Sequence, residues 1–400
     1  MSPPDNRPTW GILADDLTGA ADAVARYADG GWIASVELCK HIGPPSGPNR
    51  AVARSTGARA AEPVVALRKA HAYCALLVCA EIDRLFVKVD STIRGAVAYH
   101  VEGALLCWEA MHGNPVAVVC PAYPEQRRVV EGGRVYVNGT PARDESLADL
   151  FPGSIGIARA GRSRSAFERD LIQAIEARPR VVWADATDDD TLDLIAGVAV
   201  AAGKHVVPVG SAGLAAAIAG RARPARADSL RTQLTPPVLV VVTSRHRVAV
   251  EQVATLKTTR EDTCMLVPPI GTAADERVFH GWVDEVRLPV SSGCAVVLVA
   301  PPAEASDDRL VVERSARLAA RVVDRGRAAS VILVGGDGAE AVLSRLKPTS
   351  LRVRGTGLDG AVCGEIELDV AGTKRRLPLV TKAGGFGQSS TLAALIGASR

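Results

Sequence analysis

Short apolar runs rich in Val and Ile recur along the whole chain, separated by Ala-, Leu- and Arg-rich stretches with helical periodicity. This alternation limits the fold more than any other feature of the sequence. The runs are Trp10–Leu13, Ile33–Leu38, Leu85–Val89, Val116–Cys120, Val181–Ala184 and His205–Val209, then Val238–Val242, Cys264–Val267, Ala295–Ala300, Val331–Val334 and Leu377–Thr381. Helical patterns lie between them at Ala20–Ala28, Val97–Met111, Ala166–Ala177, Leu214–Ala219 and Val311–Arg325. Strands alternating with helices predict an α/β fold of mainly parallel sheets with flanking helices. In such sheets ligands collect at the carboxyl ends of strands, where loops lead into helix N-termini.

A chain of 400 residues exceeds one ordinary hydrophobic core and predicts two domains. The polar stretch Arg221–Pro237 holds three prolines and no continuous apolar face, so it reads as a linker with a boundary near Ala227. The expected domains are therefore 1–227 and 228–400. Lys40–Pro48, with three Pro and two Gly, reads as a surface loop.

Charge and cysteine usage narrow the function classes. The 47 basic and 44 acidic side chains nearly balance, aromatics are 4%, and no basic stripe occurs, which argues against nucleic-acid binding. Eight cysteines form no Cys-x-x-Cys pair, and Cys74 and Cys79 sit in an apolar run read as core; free thiols in a reducing cytosol are expected. The apolar runs are strand length, and the polar, Pro-rich Met1–Pro8 lacks the basic-then-apolar pattern of a signal peptide. A soluble cytoplasmic protein is predicted, with no membrane partner.

Six segments concentrate chemistry. In Ile12–Ala20 a buried strand ends in Asp15 and Asp16, followed by Leu17-Thr18-Gly19 and a helix. Asp16 or Thr18 could cap that helix. Two adjacent carboxylates repel, however, and persist where a cation or several substrate hydroxyls absorb the charge. In Phe86–Gly95, Lys88 precedes Asp90-Ser91-Thr92-Ile93-Arg94, which crowds an acid, two hydroxyls and a guanidinium into one turn suited to an anion or a polyol. Cys120-Pro121-Ala122-Tyr123-Pro124 is a rigid turn, and Tyr136-Val137-Asn138-Gly139 reads as one arm of a hairpin. Gly210-Ser211-Ala212-Gly213 joins a strand to a helix. In the C-terminal half, Gly335-Gly336-Asp337-Gly338 and Lys382-Ala383-Gly384-Gly385-Phe386-Gly387 each follow a strand and precede a helix. Glycine lets phosphate or ribose approach the backbone, so two such turns in one domain point to a nucleotide. Neither is a Walker loop, and no dinucleotide fingerprint is present.

Taken in order, ADDLTGA, KVDSTIRG, PAYP with YVNGTP, GSAGL, GGDG and KAGGFG resemble the four-carbon acid sugar kinase family over Ile12–Leu392. The resemblance implies an N-terminal acid-sugar-binding domain, a C-terminal nucleotide-binding domain and a reaction in the interdomain cleft. It places Asp15, Asp16, Lys88, Asp90, Ser91 and Arg94 at the sugar, and Ser244, Gly335, Gly336, Asp337, Gly338 and Gly385 at the nucleotide. Arg94 would hold the substrate carboxylate, and Asp16 or Asp90 would accept the proton of the attacking hydroxyl. ATP and Mg²⁺ are implied, the metal's protein ligands are not identifiable, and a homodimer is among the options. The family's Gly-Ser-Cys-Ser turn reads Thr243-Ser244-Arg245-His246 here, and Gly338-Ala339 replace its hydroxyls. These departures leave a second reading open, a non-catalytic sugar-acid sensor on the same scaffold. A nicotinamide-dependent oxidoreductase is the weakest alternative, permitted by architecture alone.

Overall fold

Valine-rich runs bounded by turns become strands buried on both faces, as the wholly buried Val116–Cys120, Val238–Val242 and Ser330–Val334 show. The structure, a computed structural model, describes residues 8–39, 49–221, 234–268, 281–282, 295–301, 308–370 and 372–397. The expected loop Lys40–Pro48 and most of the expected linker lie outside these residues. The chain divides into two compact units, Met1–Asp228 and Ser229–Arg400. Every strand and helix named from the sequence is present, with ends shifted by a few residues.

In the first unit the strands are β1 (Trp10–Ala14), β2 (Ile33–Glu37), β3 (Arg50–Ser55), β4 (Arg84–Lys88), β5 (Val116–Cys120), β6 (Arg128–Glu131), β7 (Arg134–Val137), β8 (Thr140–Pro141), β9 (Ile155–Ile157), β10 (Val181–Ala184) and β11 (Val206–Gly210). The helices are α1 (Leu17–Asp29), α2 (Pro63–Cys79), α3 (Val97–His112), α4 (Leu147–Leu150), α5 (Arg164–Glu176), α6 (Asp189–Ala201) and α7 (Ala212–Arg221). The main sheet is parallel throughout, in the order β2-β3-β1-β4-β11-β5-β10-β9. After β1 the chain moves to one side through α1; after β3 it moves to the other through α2. Right-handed crossovers in opposite directions put these helices on opposite faces, so α1 packs with α7 while α2 packs with α3.

A separate antiparallel arm, β6-β7-β8, stands off this sheet. Its turn is fixed by Asp185, a buried carboxylate at the end of β10, which accepts from the N–H groups of Gly132 at 2.8 Å and Gly133 at 2.9 Å.

The second unit contains β12 (Val238–Val242), β13 (Thr263–Leu266), β14 (Ala295–Val299), β15 (Ser330–Val334), β16 (Ser350–Thr356), β17 (Val362–Val370) and β18 (Thr373–Lys382). Its helices are α8 (Arg247–Thr259), α9 (Asp308–Asp324), α10 (Gly336–Leu346) and α11 (Thr391–Gly397). The order is β13-β14-β12-β15-β18-β17-β16, parallel as far as β18 and antiparallel beyond. Its core joins Val240, Leu256, Ile332, Val380 and Leu392.

Helix α2 corrects one expectation. Cys74 is buried, but Cys79 lies exposed at the last turn, so the run around them is a helix with a solvent side rather than uniform core. The close approach of α2 and α3 depends on Gly103, where a Cβ would lie 2.2 Å from the Leu67 carbonyl oxygen. Helix propensity favours alanine over glycine by about 1 kcal/mol, whereas forcing a methyl against backbone costs about 1–3 kcal/mol. Gly103→Ala is therefore expected to lower the thermal midpoint by a few degrees in a melt followed by circular dichroism, and a rise would show that the helices separate freely.

Candidate functional site

A parallel sheet concentrates ligand-binding groups where neighbouring strands feed connections in opposite directions, at the carboxyl ends. In the first unit that crevice lies between β1 and β4. Asp15 and Asp16 leave β1 there, while Lys88, Asp90 and Ser91 leave β4.

The two adjacent acids find their cation within the chain. Arg59, beyond β3, donates from Nε to Asp15 Oδ2 at 3.0 Å and from Nη2 to Asp15 Oδ1 at 2.8 Å. The same guanidinium reaches Asp16, with Nη1 2.5 Å from Oδ2 and Nη2 2.9 Å from Oδ1. Its Nη2 also lies 4.0 Å from Asp90 Oδ1. Asp16 does cap α1, accepting from Gly19 N–H at 2.7 Å, so the capping role and the acid cluster coexist. Arg94 clamps Asp90 through Nε at 2.9 Å and Nη2 at 2.8 Å, and Thr92 donates to the same carboxylate through its N–H and hydroxyl.

Burial and pairing pull these acids apart. Burial raises the Asp16 carboxyl; Arg59 opposes this, Asp15 adds to it, and the result lies above the ordinary value. Burial also acts to raise Asp90, but the hydrogen bonds from Arg94 and the charges of Arg59 and Arg94 outweigh it and hold that carboxyl well below the usual range. For Arg59, burial is overcome by Asp15 and Asp16, which hold the guanidinium above its ordinary value. Behind them His100 is fully buried, and its Nε2 lies 3.2 Å from Thr56 Oγ1. The Thr56 hydroxyl donates to the Ala14 carbonyl, which assigns the imidazole proton to Nε2. Burial first, then Arg59, push this histidine down to about 4 against the pull of Asp15, so it is neutral near pH 7.

Missing side chains make room for the cluster. A Cβ on Gly19 would lie 2.6 Å from Asp16 Oδ1 and 3.1 Å from Lys88 Nζ. Gly95, at φ +84°, sits on the Arg59 carbonyl, 2.4 Å from where its Cβ would be. Ile93 is buried at φ +58°, a left-handed conformation that costs a β-branched residue about 1–3 kcal/mol and often marks a functional turn.

All six residues expected at the sugar thus collect at this crevice: Asp15, Asp16, Lys88, Asp90, Ser91 and Arg94. Lys88 is buried and donates to the Val89 carbonyl at 3.0 Å. Arg59, His100 and Thr56 are additions that the sequence reading lacked. Their signal was the strand before Ser55-Thr56-Gly57-Ala58-Arg59, whose Arg-Ala-Val-Ala-Arg pattern is short and only half apolar.

The second unit repeats the arrangement between β12 and β15. Thr243 and Ser244 donate backbone N–H to the Val334 carbonyl at 3.0 and 3.3 Å, and Gly335 donates to the Lys382 carbonyl at 3.0 Å, lacing the three strand ends together. A cleft of about 220 Å³ opens among Thr243, Ser244, Arg245, Gly335, Gly336 and Asp337. Gly335, at φ +111°, leads into α10, whose first residues Gly336 and Asp337 line the cleft. Gly338 and Gly385 do not line it: Gly338 packs on Thr243, and Gly385 on the His246 ring. His246 caps α8, its Nδ1 accepting from Val248 N–H at 3.2 Å. Lys382 is buried, pushed down to about 8 chiefly by that burial, and donates to the Ala383 carbonyl.

Comparison with known proteins adds the family. Residues 10–153 match the family model of a sugar-binding N-terminal domain, and residues 239–392 that of a nucleotide-binding C-terminal domain. A D-threonate kinase of Bordetella bronchiseptica is 33% identical over 413 residues, covering 96% of each chain. A D-erythronate kinase of Heliobacterium modesticaldum is 26% identical, covering 94% of each. A solved Salmonella typhimurium structure described as a putative tRNA synthase aligns at a TM-score of 0.78 with 18% identity, over 98% of this chain and 99% of that one, which shows a shared fold. With both domain matches in place and one relative a third identical along nearly its whole length, the chain belongs to the four-carbon acid sugar kinase family.

Proposed function

We propose that this protein transfers the γ-phosphoryl group of ATP to a hydroxyl of a small acid sugar of four or so carbons, such as threonate, erythronate or 3-oxo-tetronate. The observation that carries this reading is the buried cluster of Asp15, Asp16, Arg59 and Asp90 at the β1/β4 crevice, which offers carboxylate oxygens to polyol hydroxyls. The names of the relatives support the substrate class, and the glycine-lined cleft of the second unit suits a nucleotide.

Two carboxylates in one crevice with oppositely displaced pKa values divide the work. Asp16, raised, is the better proton acceptor for the attacking hydroxyl. Asp90, depressed, stays ionised and keeps Arg94 and Thr92 in place. The remainder of catalysis is positioning and charge neutralisation, as phosphoryl transfer requires. Among the described residues no group of three or more His, Cys, Asp or Glu is placed to hold a metal ion. A Mg²⁺ arriving with the nucleotide would take most of its ligands from phosphate oxygens and water, with Asp337 as the carboxylate in the cleft lining.

ADP release coupled to a panel of sugar acids tests the activity; folded protein that turns over none of them would overturn the proposal. In the same assay Asp16→Asn is expected to lower kcat by roughly 10²–10⁴-fold, with near-wild-type KM for ATP. Near-normal turnover would remove Asp16 as the base.

Arg59→Gln makes a separate prediction for stability. It strands the adjacent carboxylates of Asp15 and Asp16, while Asp90 keeps its Arg94 clamp, at a cost of about 3–5 kcal/mol. The Asp16 carboxyl, already above its ordinary value and then without the opposing guanidinium, lies further above the unfolded one, so the missing stability is present below about pH 4 and is lost as pH rises through the folded value. The deficit against wild type should therefore be larger at pH 8 than at pH 5 in paired thermal melts. A deficit independent of pH would contradict the charge argument.

A further inference from the structure

A sugar acid presents two kinds of group, hydroxyls and a carboxylate, and the β1/β4 crevice accounts for the first alone. Its cations are already matched: Arg59 serves Asp15 and Asp16, and Arg94 is bidentate on Asp90. The buried Lys88 Nζ lies among Asp16, Asp22 and Gly19. Asp15, Asp16 and Asp90 thus face Arg59, Lys88 and Arg94, Asp22 pairs with Arg26, and Arg128, near enough to interact with Asp90, donates to the Gln126 carbonyl. Arg94 alone among them turns a largely exposed side chain outward, at 67%.

Next to this crevice, still within the first unit, is a cavity of about 490 Å³ lined by Thr92, Arg94, Gly95, Val137, Ala142 and Arg143. The antiparallel arm supplies its far wall and brings Arg143. Ala142 N–H donates to the Val135 carbonyl at 2.8 Å, Arg134 reaches the Asp144 carbonyl at 2.5 Å, and Leu147 N–H donates to Gly133 at 2.8 Å. Ser146 and Asp149 close a capping box just beyond. The backbone on both sides of Arg143 is thereby fixed to an arm that Asp185 fixes to the sheet.

The Arg143 guanidinium spends Nη1 on the carbonyl of Ile93, at 2.5 Å, and Nη2 on Glu145. The first partner is neutral. The second is 53% exposed, and ion pairs of that kind contribute little and exchange readily. Neither partner is a buried acid, so Arg143 brings a weakly neutralised positive charge to a cavity that Arg94 also lines. Gly95, one residue before the cap of α3, also lines the cavity.

We propose that this cavity is the subsite for the substrate carboxylate, and that Arg143 is the residue selecting acid over neutral acceptors, with Arg94 lending its exposed edge. The inference rests on the sugar-acid kinase reading for its choice of ligand. It also gives the strained Ile93 turn a purpose, since the left-handed Ile93 aims its carbonyl at Arg143 and so orients the guanidinium.

The test compares wild type with Arg143→Ala, Arg143→Lys and Glu145→Gln. Each receives the best sugar acid of the panel and the primary amide of that acid, in both calorimetric titrations and turnover assays. Arg143→Ala should weaken binding of the acid and raise its KM by roughly 10- to 100-fold, the worth of a charge-assisted hydrogen bond. Binding of the amide and kcat at saturation should change by less than about threefold on the same ground. Arg143→Lys should recover part of the loss, and Glu145→Gln should leave affinity unchanged or tighter. Equal losses for acid and amide would mean that Arg143 merely holds the Ile93 turn, and unchanged affinity would mean that the carboxylate goes elsewhere; either overturns the subsite. Arg143-dependent binding without turnover in wild type would leave the subsite standing while removing the kinase reading. Wild type that binds none of the acids would overturn the subsite directly.

Discussion

The clamp of Arg59 on Asp15 and Asp16 is the interaction on which the first site depends. Two neighbouring ionised carboxylates, mostly buried, are unstable alone, because desolvation and mutual repulsion both favour the neutral form. The guanidinium matches their geometry, and the backbone delivers it. Thr56 N–H donates to the Ala14 carbonyl at 2.9 Å, and Ala58 and Arg59 both donate to the Asp15 carbonyl, at 2.8 and 3.2 Å. The exit of β3 is thus sewn to the exit of β1 before any side chain acts. Gly95 then lets the β4 turn close over the Arg59 carbonyl. Three strand ends meet at one guanidinium, which is why a residue outside the recognisable motifs holds them together.

That dependence explains what the sequence revealed and what it hid. The parallel strands were legible because each is a β-branched run bounded by turn residues, and buried strands tolerate little else. The acids, Lys88 and Arg94 were legible because crowded polar groups at a strand end lack a packing reason. Arg59 was not: β3 places Arg50 and Arg54 within six residues, and its exposed-looking arginines conceal a buried strand. Helix α2 was missed for a related reason. Its outer positions mix Val64, Val65 and Cys79 with Arg68, so the amphipathic signal that marks a surface helix is faint. On the nucleotide side the motif glycines were found, but their neighbours were not. Gly338 and Gly385 look like ligand-facing glycines in sequence, yet they accommodate Thr243 and His246.

The two units share more than the sequence discloses. Counted from the first strand of each, the order over four strands is the same: β2-β3-β1-β4 in one and β13-β14-β12-β15 in the other. No sequence repeat accompanies it, and none is needed, because crossover handedness and strand burial fix a topology without fixing residues. Each unit therefore opens a crevice between its first and fourth strands, and each places its chemistry there: Asp15, Asp16 and Asp90 in one, Thr243, Ser244 and Gly335 in the other.

What differs is how the space left by glycine is used. Gly19 and Gly95 give up their Cβ so that the protein's own charged groups can close ranks, and the result is a rigid cluster with its charges matched internally. Gly335 and Gly384 give up theirs to Thr243 and Ser244, small hydroxyl residues that neutralise nothing, beside backbone N–H groups at the start of α10. The first arrangement suits a ligand whose contacts there are uncharged hydroxyls, read by preset oxygens and nitrogens. The second keeps its positive potential unspent and suits a ligand that brings negative charge of its own. A single chain holding one of each is equipped for a polyol acceptor and an anionic donor. An acid acceptor adds one demand, a cation that is not already held by a buried acid, and the antiparallel arm brings Arg143 to the neighbouring cavity.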